Sequence, residues 1–176
     1  MIPGSVNIIW LAGRGPRMLE LGGELADGVM LDFIHKDTLG DYVGLVRSGA
    51  ARSGRTTKVL YSTMIVTDDR AMAETKPHMT YRLVDSPPRV KELIGIADAD
   101  IERIRRAMGG GLHAAAEHVR DEWVLPFVIA GSVAECAAEL ARLVDQHGID
   151  EFLLPVLDLE HGPALMRTVA DVLARV

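Results

Sequence analysis

The residues best suited to chemistry are Gly13, Arg14, Gly15, Pro16 and Arg17, which follow an apolar run and precede an amphipathic one. Glycines let the backbone approach a bound group closely, and Pro16 suits the first position of a helix, where its missing N–H would be unpaired anyway. Free amides at a helix start carry partial positive charge, and two arginines add full charge, so the chemistry implied is anion binding, with phosphate as the natural guest. Asp32 ends the next apolar run and could accept hydrogen bonds from a ribose, as in a dinucleotide-binding unit. The third glycine of that fingerprint is here Met18.

Two histidines lie where strands give way to loops: His35, beside Lys36, and His161. An imidazole titrates near neutrality and can carry a proton or bind a substrate, so both are candidates for substrate binding. Ser62 and Met64 are candidates to face a ligand from a third apolar run. No catalytic residue is identified. His78, His113, His118 and His147 fall in helical stretches and read as surface residues. Arg103, Arg105 and Arg106 stand near Asp98, Asp100 and Glu102 at helical spacing, which predicts an ion-paired, solvated face. Cys136 has apolar neighbours at core spacing and reads as a buried thiol. With one cysteine and no His/Cys cluster at ligand spacing, neither an internal disulfide nor a metal site is expected.

The elements that position these residues alternate. An apolar strand from Val6 to Leu11, a helix opened by Pro16 and a second strand at Gly28 to Phe33 make one βαβ unit. Asp37 or Thr38 is expected to cap a helix carrying Leu39, Tyr42, Val43, Leu45 and Val46. Lys58 to Val66 is a third strand. From about 68 to 130 short amphipathic helices replace the alternation, broken by Pro87-Pro88 and Gly109-Gly110-Gly111. Ser132-x-x-Glu135 is a capping box for a helix ending at Gly148. A fourth strand at Glu151 to Leu157 and a closing helix from about Pro163 complete the chain. The fold class is therefore α/β with parallel strands, since βαβ crossovers cannot be hairpins. The four strands are too apolar for bare edges, and a full (β/α)8 barrel takes roughly 250 residues.

The chain has 176 residues, of which 48% are apolar and 25% charged, which is ordinary for a globular protein with one substantial core. Its 19 basic and 25 acidic residues give a net charge of −6, which excludes the basic footprint of a nucleic-acid binder. No apolar run is long enough to span a membrane and no secretory leader is recognisable, so the expected location is cytoplasmic.

Ile9-Trp10-Leu11-Ala12-Gly13-Arg14-Gly15-Pro16-Arg17-Met18-Leu19-Glu20-Leu21-Gly22-Gly23-Glu24-Leu25-Ala26-Asp27-Gly28-Val29-Met30-Leu31 resembles the IYLAA-x-GP-x-MLELAGE-x-ADGVLL stretch of the luciferase-like, flavin- or deazaflavin-dependent oxidoreductases. Ser48 to Arg55 and Phe127 to Ser132 are similar to that family's GA-x-x-x-GR and F-x-I-x-GT/S links. The run is most similar to the methylenetetrahydromethanopterin reductase branch. The resemblance implies a single domain over 1–176 that corresponds to strands five to eight of a (β/α)8 barrel, with a helical insertion at about 68–130. It implies a cofactor, F-420 deazaflavin or FMN, whose phosphate is held by Ala12, Gly13, Arg14 and Gly15. It also implies hydride transfer to or from a small-molecule substrate, as a dehydrogenase or a monooxygenase. On this reading the chain is a C-terminal portion lacking part of its active site, which pairs with an N-terminal half or with itself. The alternative is a non-catalytic half-barrel used for assembly or cofactor binding.

Overall fold

The computed structural model describes residues 8–157 and 159–176. In chain order the first elements are β1 (Trp10–Ala12), α1 (Pro16–Leu25), β2 (Gly28–Asp32), α2 (Leu39–Ser53), β3 (Lys58–Ser62) and β4 (Ile65–Val66). There follow α3 (Asp69–Asp85), α4 (Pro88–Ile94), α5 (Asp98–Ala107), α6 (Leu112–Ala116) and α7 (Asp121–Val124). The last are β5 (Ile129–Ala130), α8 (Val133–His147), β6 (Glu151–Leu153) and α9 (Gly162–Leu173). The chain divides into two compact units. The first takes the described residues up to Ser62 together with Leu143–Leu153, and the second takes Thr63–Arg142 and Leu154–Val176.

The first unit is a four-stranded parallel sheet in the order β1-β2-β3-β6. Leu11, Val29 and Val59 share one row, and Leu31, Tyr61 and Phe152 the next. These rows form the helix-covered face, where Val29, Leu31, Val59 and Tyr61 are fully buried. The helices reach it because glycine lets them. A Cβ on Gly22 would stand 2.7 Å from Val29 Cγ2, so α1 lies directly on the strands. A Cβ on Gly23 would come within 2.0 Å of the Val46 carbonyl oxygen, and one on Gly49 within 1.9 Å of that of Glu20. The backbones of α1 and α2 therefore touch, an approach that any side chain would block.

The amino ends of the strands are tied by carboxylates. Asp27 accepts from the Ile9 N–H at 2.8 Å and from Arg55 at 2.9 Å. Asp150 accepts from the Val59 N–H at 2.7 Å and from Arg47 at 3.0 Å, and Arg47 also donates to the carbonyls of Thr57 and Gly148. The buried Thr57 hydroxyl lies 2.7 Å from the Gly23 carbonyl oxygen and 3.1 Å from that of Ala26, closing the end of α1.

Several boundaries differ from those expected. The first strand is Trp10–Ala12 rather than Val6 to Leu11, and Val6 itself lies outside the described residues. The run from Lys58 to Val66 is two strands, because the Thr63 hydroxyl turns to the Phe127 carbonyl at 2.6 Å and the Ile129 N–H to the Met64 carbonyl at 3.0 Å. The pair β4-β5 is a separate parallel ribbon in the second unit, so residues read as a link before a helix are a strand. The last strand stops at Leu153, two residues before Pro155, which has no N–H to donate to a ladder. Neither Asp37 nor Thr38 caps α2 through its side chain. Instead the His35 ring accepts from the Asp37 N–H at the start of a short turn, Lys36–Thr38.

The second unit is built from α3 to α7, the β4-β5 ribbon, the first part of α8 and α9. The capping box is present: the Ser132 N–H donates to Glu135 Oε2 at 2.8 Å and the Glu135 N–H to Ser132 Oγ at 3.3 Å. Arg103 pairs with Asp100 at 2.7 Å and Arg105 with Glu102, the ion-paired face expected of α5. Among the described residues no helix is long and apolar enough to cross a membrane.

Candidate functional site

The turn between β1 and α1 lies at the carboxyl end of the sheet. Gly15 is the N-cap residue, extended at φ −74°, with Pro16 at the first helical position and no side chain capping the helix. The first helical hydrogen bond is Leu19 N–H to the Gly15 carbonyl at 3.0 Å, so the amides of Arg17 and Met18 precede the helical ladder. Ala12, Arg14, Gly15 and Arg17 are all exposed. The glycines do not serve the backbone as expected from their type, since neither Gly13 nor Gly15 has a positive φ. A Cβ on Gly13 would make ordinary contacts at 3.4 Å, and one on Gly15 would meet nothing within 4 Å. The fold makes no demand for glycine at position 15. What its absent side chain leaves is open space over uncapped amides, with Arg14 and Arg17 nearby in the chain, an arrangement whose chemistry suits an anion such as a phosphate.

One strand further on, Asp32 and Ser62 are register partners at the carboxyl ends of β2 and β3. They lie on the face opposite the helix-covered rows. Ser62 is buried and its hydroxyl donates to Asp32 Oδ1 at 3.0 Å, while the Asp32 carboxylate remains partly exposed. The loop that follows is pinned. The Phe33 N–H donates to the Ser62 carbonyl at 2.8 Å, the Tyr61 hydroxyl to that of Ile34 at 3.4 Å, and the Thr38 hydroxyl to that of His35 at 2.9 Å. Phe33 is held at φ +47°, a left-handed conformation that costs an aromatic residue about 1–3 kcal/mol. Among the described residues it is the one non-glycine with positive φ.

His35 is 4% exposed, not a solvated loop residue. Burial lowers its pKa below 6.5, with Asp37 opposing that shift and Lys36 reinforcing it. Because Nδ1 accepts from the Asp37 N–H at 3.2 Å, the neutral ring carries its proton on Nε2.

The uncovered face of the sheet forms a hollow of about 410 Å³ lined by Trp10, Leu11, Ala12, Met30, Leu60, Glu151 and Leu153. The ring of Trp10 lies over Gly28, where a Cβ would stand 2.1 Å from it. Glu151 pairs with Lys58 at 2.6 Å, and that hydrogen bond raises the Lys58 pKa. The lining of the hollow is otherwise apolar.

Among the candidates, Ala12, Gly13, Arg14, Gly15 and His35 therefore share the carboxyl edge of the first unit. His161 belongs to the second unit, at the N-cap of α9, with Nδ1 3.1 Å from a buried oxygen of Glu74 on α3. The nearest Arg70 nitrogen is 3.9 Å from the same oxygen. Cys136 is fully buried, its thiol 3.5 Å from the Gly131 carbonyl. Met64 is buried in the second unit as well. The sequence reading missed the Asp32–Ser62 pairing. No local signal gave it, because the apolar run containing Ser62 continues to Val66 in the sequence and is broken after Ser62 only in the structure.

A parallel sheet of βα units with an uncapped helix start and pinned polar residues at its carboxyl edge is the construction of an α/β ligand-binding protein. The chain belongs to the luciferase-like monooxygenase family, which matches residues 2–151. It is 31% identical over 157 residues to a 5,10-methylenetetrahydromethanopterin reductase of Archaeoglobus fulgidus, a match covering 80% of this chain and 46% of the relative. The coenzyme F420 dependent tetrahydromethanopterin reductase of Methanopyrus kandleri superposes with a TM-score of 0.77 at 25% identity, over 94% of this chain and 50% of that one. An F420-dependent secondary alcohol dehydrogenase shares the fold, with a TM-score of 0.63 at 18% identity over 97% of this chain and 50% of that one. The chain thus spans about half the length of the relatives it matches.

Proposed function

We propose that this chain supplies strands five to eight, the C-terminal half, of a luciferase-like (β/α)8 oxidoreductase, and that Ala12, Gly13, Arg14 and Gly15 hold the phosphate end of F420 or FMN. The observation that carries this reading is Gly15: neither conformation nor packing requires glycine there, yet the space it leaves opens onto uncapped amides. The F420-dependent relatives favour the deazaflavin. Bound there, the cofactor supplies hydride transfer with a small organic substrate. The residues of this chain hold and orient it, and His35, on the same carboxyl edge as the turn, is a candidate to touch the substrate, as His161 is within its own unit. The ring needs walls on the uncovered face, which the remaining strands of a barrel would provide.

Titration of the purified chain with F420, followed by its fluorescence, and with FMN, followed by absorbance, tests the reading. Saturable binding of either supports it. A cooperatively folded protein that binds neither, alone and with the first half of the Archaeoglobus relative added, overturns it.

A second reading rests on the edge of the first unit, where Ile8, Ile9 and Trp10 on the β1 side and Met18, Leu21 and Leu25 on α1 are all exposed. Among the described residues β1 pairs only with β2, and an apolar strand edge calls for a partner. In this reading the chain is an assembly module without catalysis, pairing with another half-barrel or with a second copy of itself.

A further inference from the structure

We propose that Asp32 is a ligand-binding residue that accepts hydrogen bonds from the polyol chain joining the cofactor phosphate to its ring, with Ser62 as its positioning residue. The inference rests on the reading of the β1–α1 turn as a phosphate site, and it goes beyond it by assigning the next part of the ligand.

The geometry points to Asp32 in three ways. The phosphate turn ends β1, and β2 is the neighbouring strand, about 4.8 Å across the sheet. Ala12, Met30 and Asp32 fall on one face, since Ala12 and Met30 are register partners and Asp32 is two residues further along β2. A ligand anchored at the turn and reaching over the uncovered face therefore passes Asp32 before its ring. In both FMN and F420 the group next to the phosphate is a ribityl chain with vicinal hydroxyls. A carboxylate is the side chain that accepts two such donors at once, and charge-assisted O–H bonds are short and strong.

The surroundings suit that role. The buried Ser62 hydroxyl, 3.0 Å from Asp32 Oδ1, fixes the carboxylate in one orientation. The Ser62 carbonyl in turn holds the Phe33 N–H, and with it the left-handed Phe33 that ends the strand immediately after Asp32. The loop bends away there, which leaves the carboxylate partly exposed at the rim. A strained residue kept by a ladder of hydrogen bonds is the mark of a preorganised site.

Equilibrium binding tests this with two ligands and two proteins: FMN, and an N10-pentyl flavin 5′-phosphate that keeps the phosphate and ring but lacks the hydroxyls. The intact protein is expected to bind FMN more tightly than the pentyl analogue. Asp32→Asn should weaken FMN about ten- to a hundred-fold, the range for losing hydrogen bonds to a charged group, and leave the pentyl analogue unchanged. Ser62→Ala should weaken FMN by a smaller factor. Equal affinity of the intact protein for both ligands overturns the proposal, whether or not the variants fold. So does an Asp32→Asn protein with unaltered FMN affinity or with equal losses for the two ligands. Failure of the intact protein to bind either flavin or F420 is a different outcome, because it removes the phosphate site and the Asp32 assignment together.

Discussion

Gly15 and His35 show how much a single position can carry at the edge of this sheet. Filling the space before Gly15 should harm binding and spare the fold: Gly15→Val is expected to shift the thermal midpoint by only a few degrees, since its φ of −74° is open to any residue. The same variant should lose cofactor affinity at least tenfold in the fluorescence titration. His35 makes a prediction about pH. Its folded-state pKa lies below 6.5 because burial disfavours the imidazolium, so the unfolded chain takes up a proton that the folded one refuses. Stability is then lost as pH falls below 6.5, and His35 contributes no pH dependence above it. His35→Asn, which can still accept from the Asp37 N–H, should reduce this acid-side slope in urea unfolding measured at a series of pH values. The slope should not vanish, because His78 is shifted the same way by burial and by His113.

At the scale of elements, the α1–α2 pair is set by glycine and α8 by its cap. Gly49→Ala places a methyl 1.9 Å from a backbone oxygen that no rotamer can move, so the helices must separate. A loss of about 1–3 kcal/mol in chemical denaturation is expected. Ala is the better helix former by roughly 1 kcal/mol, so a stabilised variant would show that the helices can part freely. For α8, Ser132→Ala should cost about 1 kcal/mol by removing the cap. It should also return the Glu135 carboxyl toward its ordinary range, since hydrogen bonds from the Ser132 hydroxyl and N–H hold its pKa down. The α1–α2 pair and α8 were unequally legible. The S-x-x-E signature and Gly148 mark both ends of α8 from sequence, because caps are local. Gly23 and Gly49 look like weaknesses in a sequence, since what they admit comes from a helix some twenty-five residues away.

At the scale of the molecule, the exposed apolar edge of the first unit is the feature with consequences in solution. If that edge seeks a partner, sedimentation velocity should show association that grows with concentration, and Ile9→Lys should hold the protein monomeric by placing a charge on the strand edge. The parallel βα architecture and the family could be read without coordinates, because a buried strand, a Gly-Pro helix start and a capping box each follow from residues within a few positions of one another. The strand order β1-β2-β3-β6, the break of one apolar run into β3 and β4, and the ribbon β4-β5 could not be read, because each depends on hydrogen bonds between residues up to about ninety apart. The candidate site divides the same way. Sequence alone located a glycine-rich, basic turn at Ala12 to Gly15 ahead of a helix opened by Pro16. Tertiary structure decided that Asp32 and Ser62 meet beside it, that His35 is buried and neutral, and that His161 faces Glu74. Backbone chemistry is written locally, but burial and side-chain pairing exist only once distant strands have come into register.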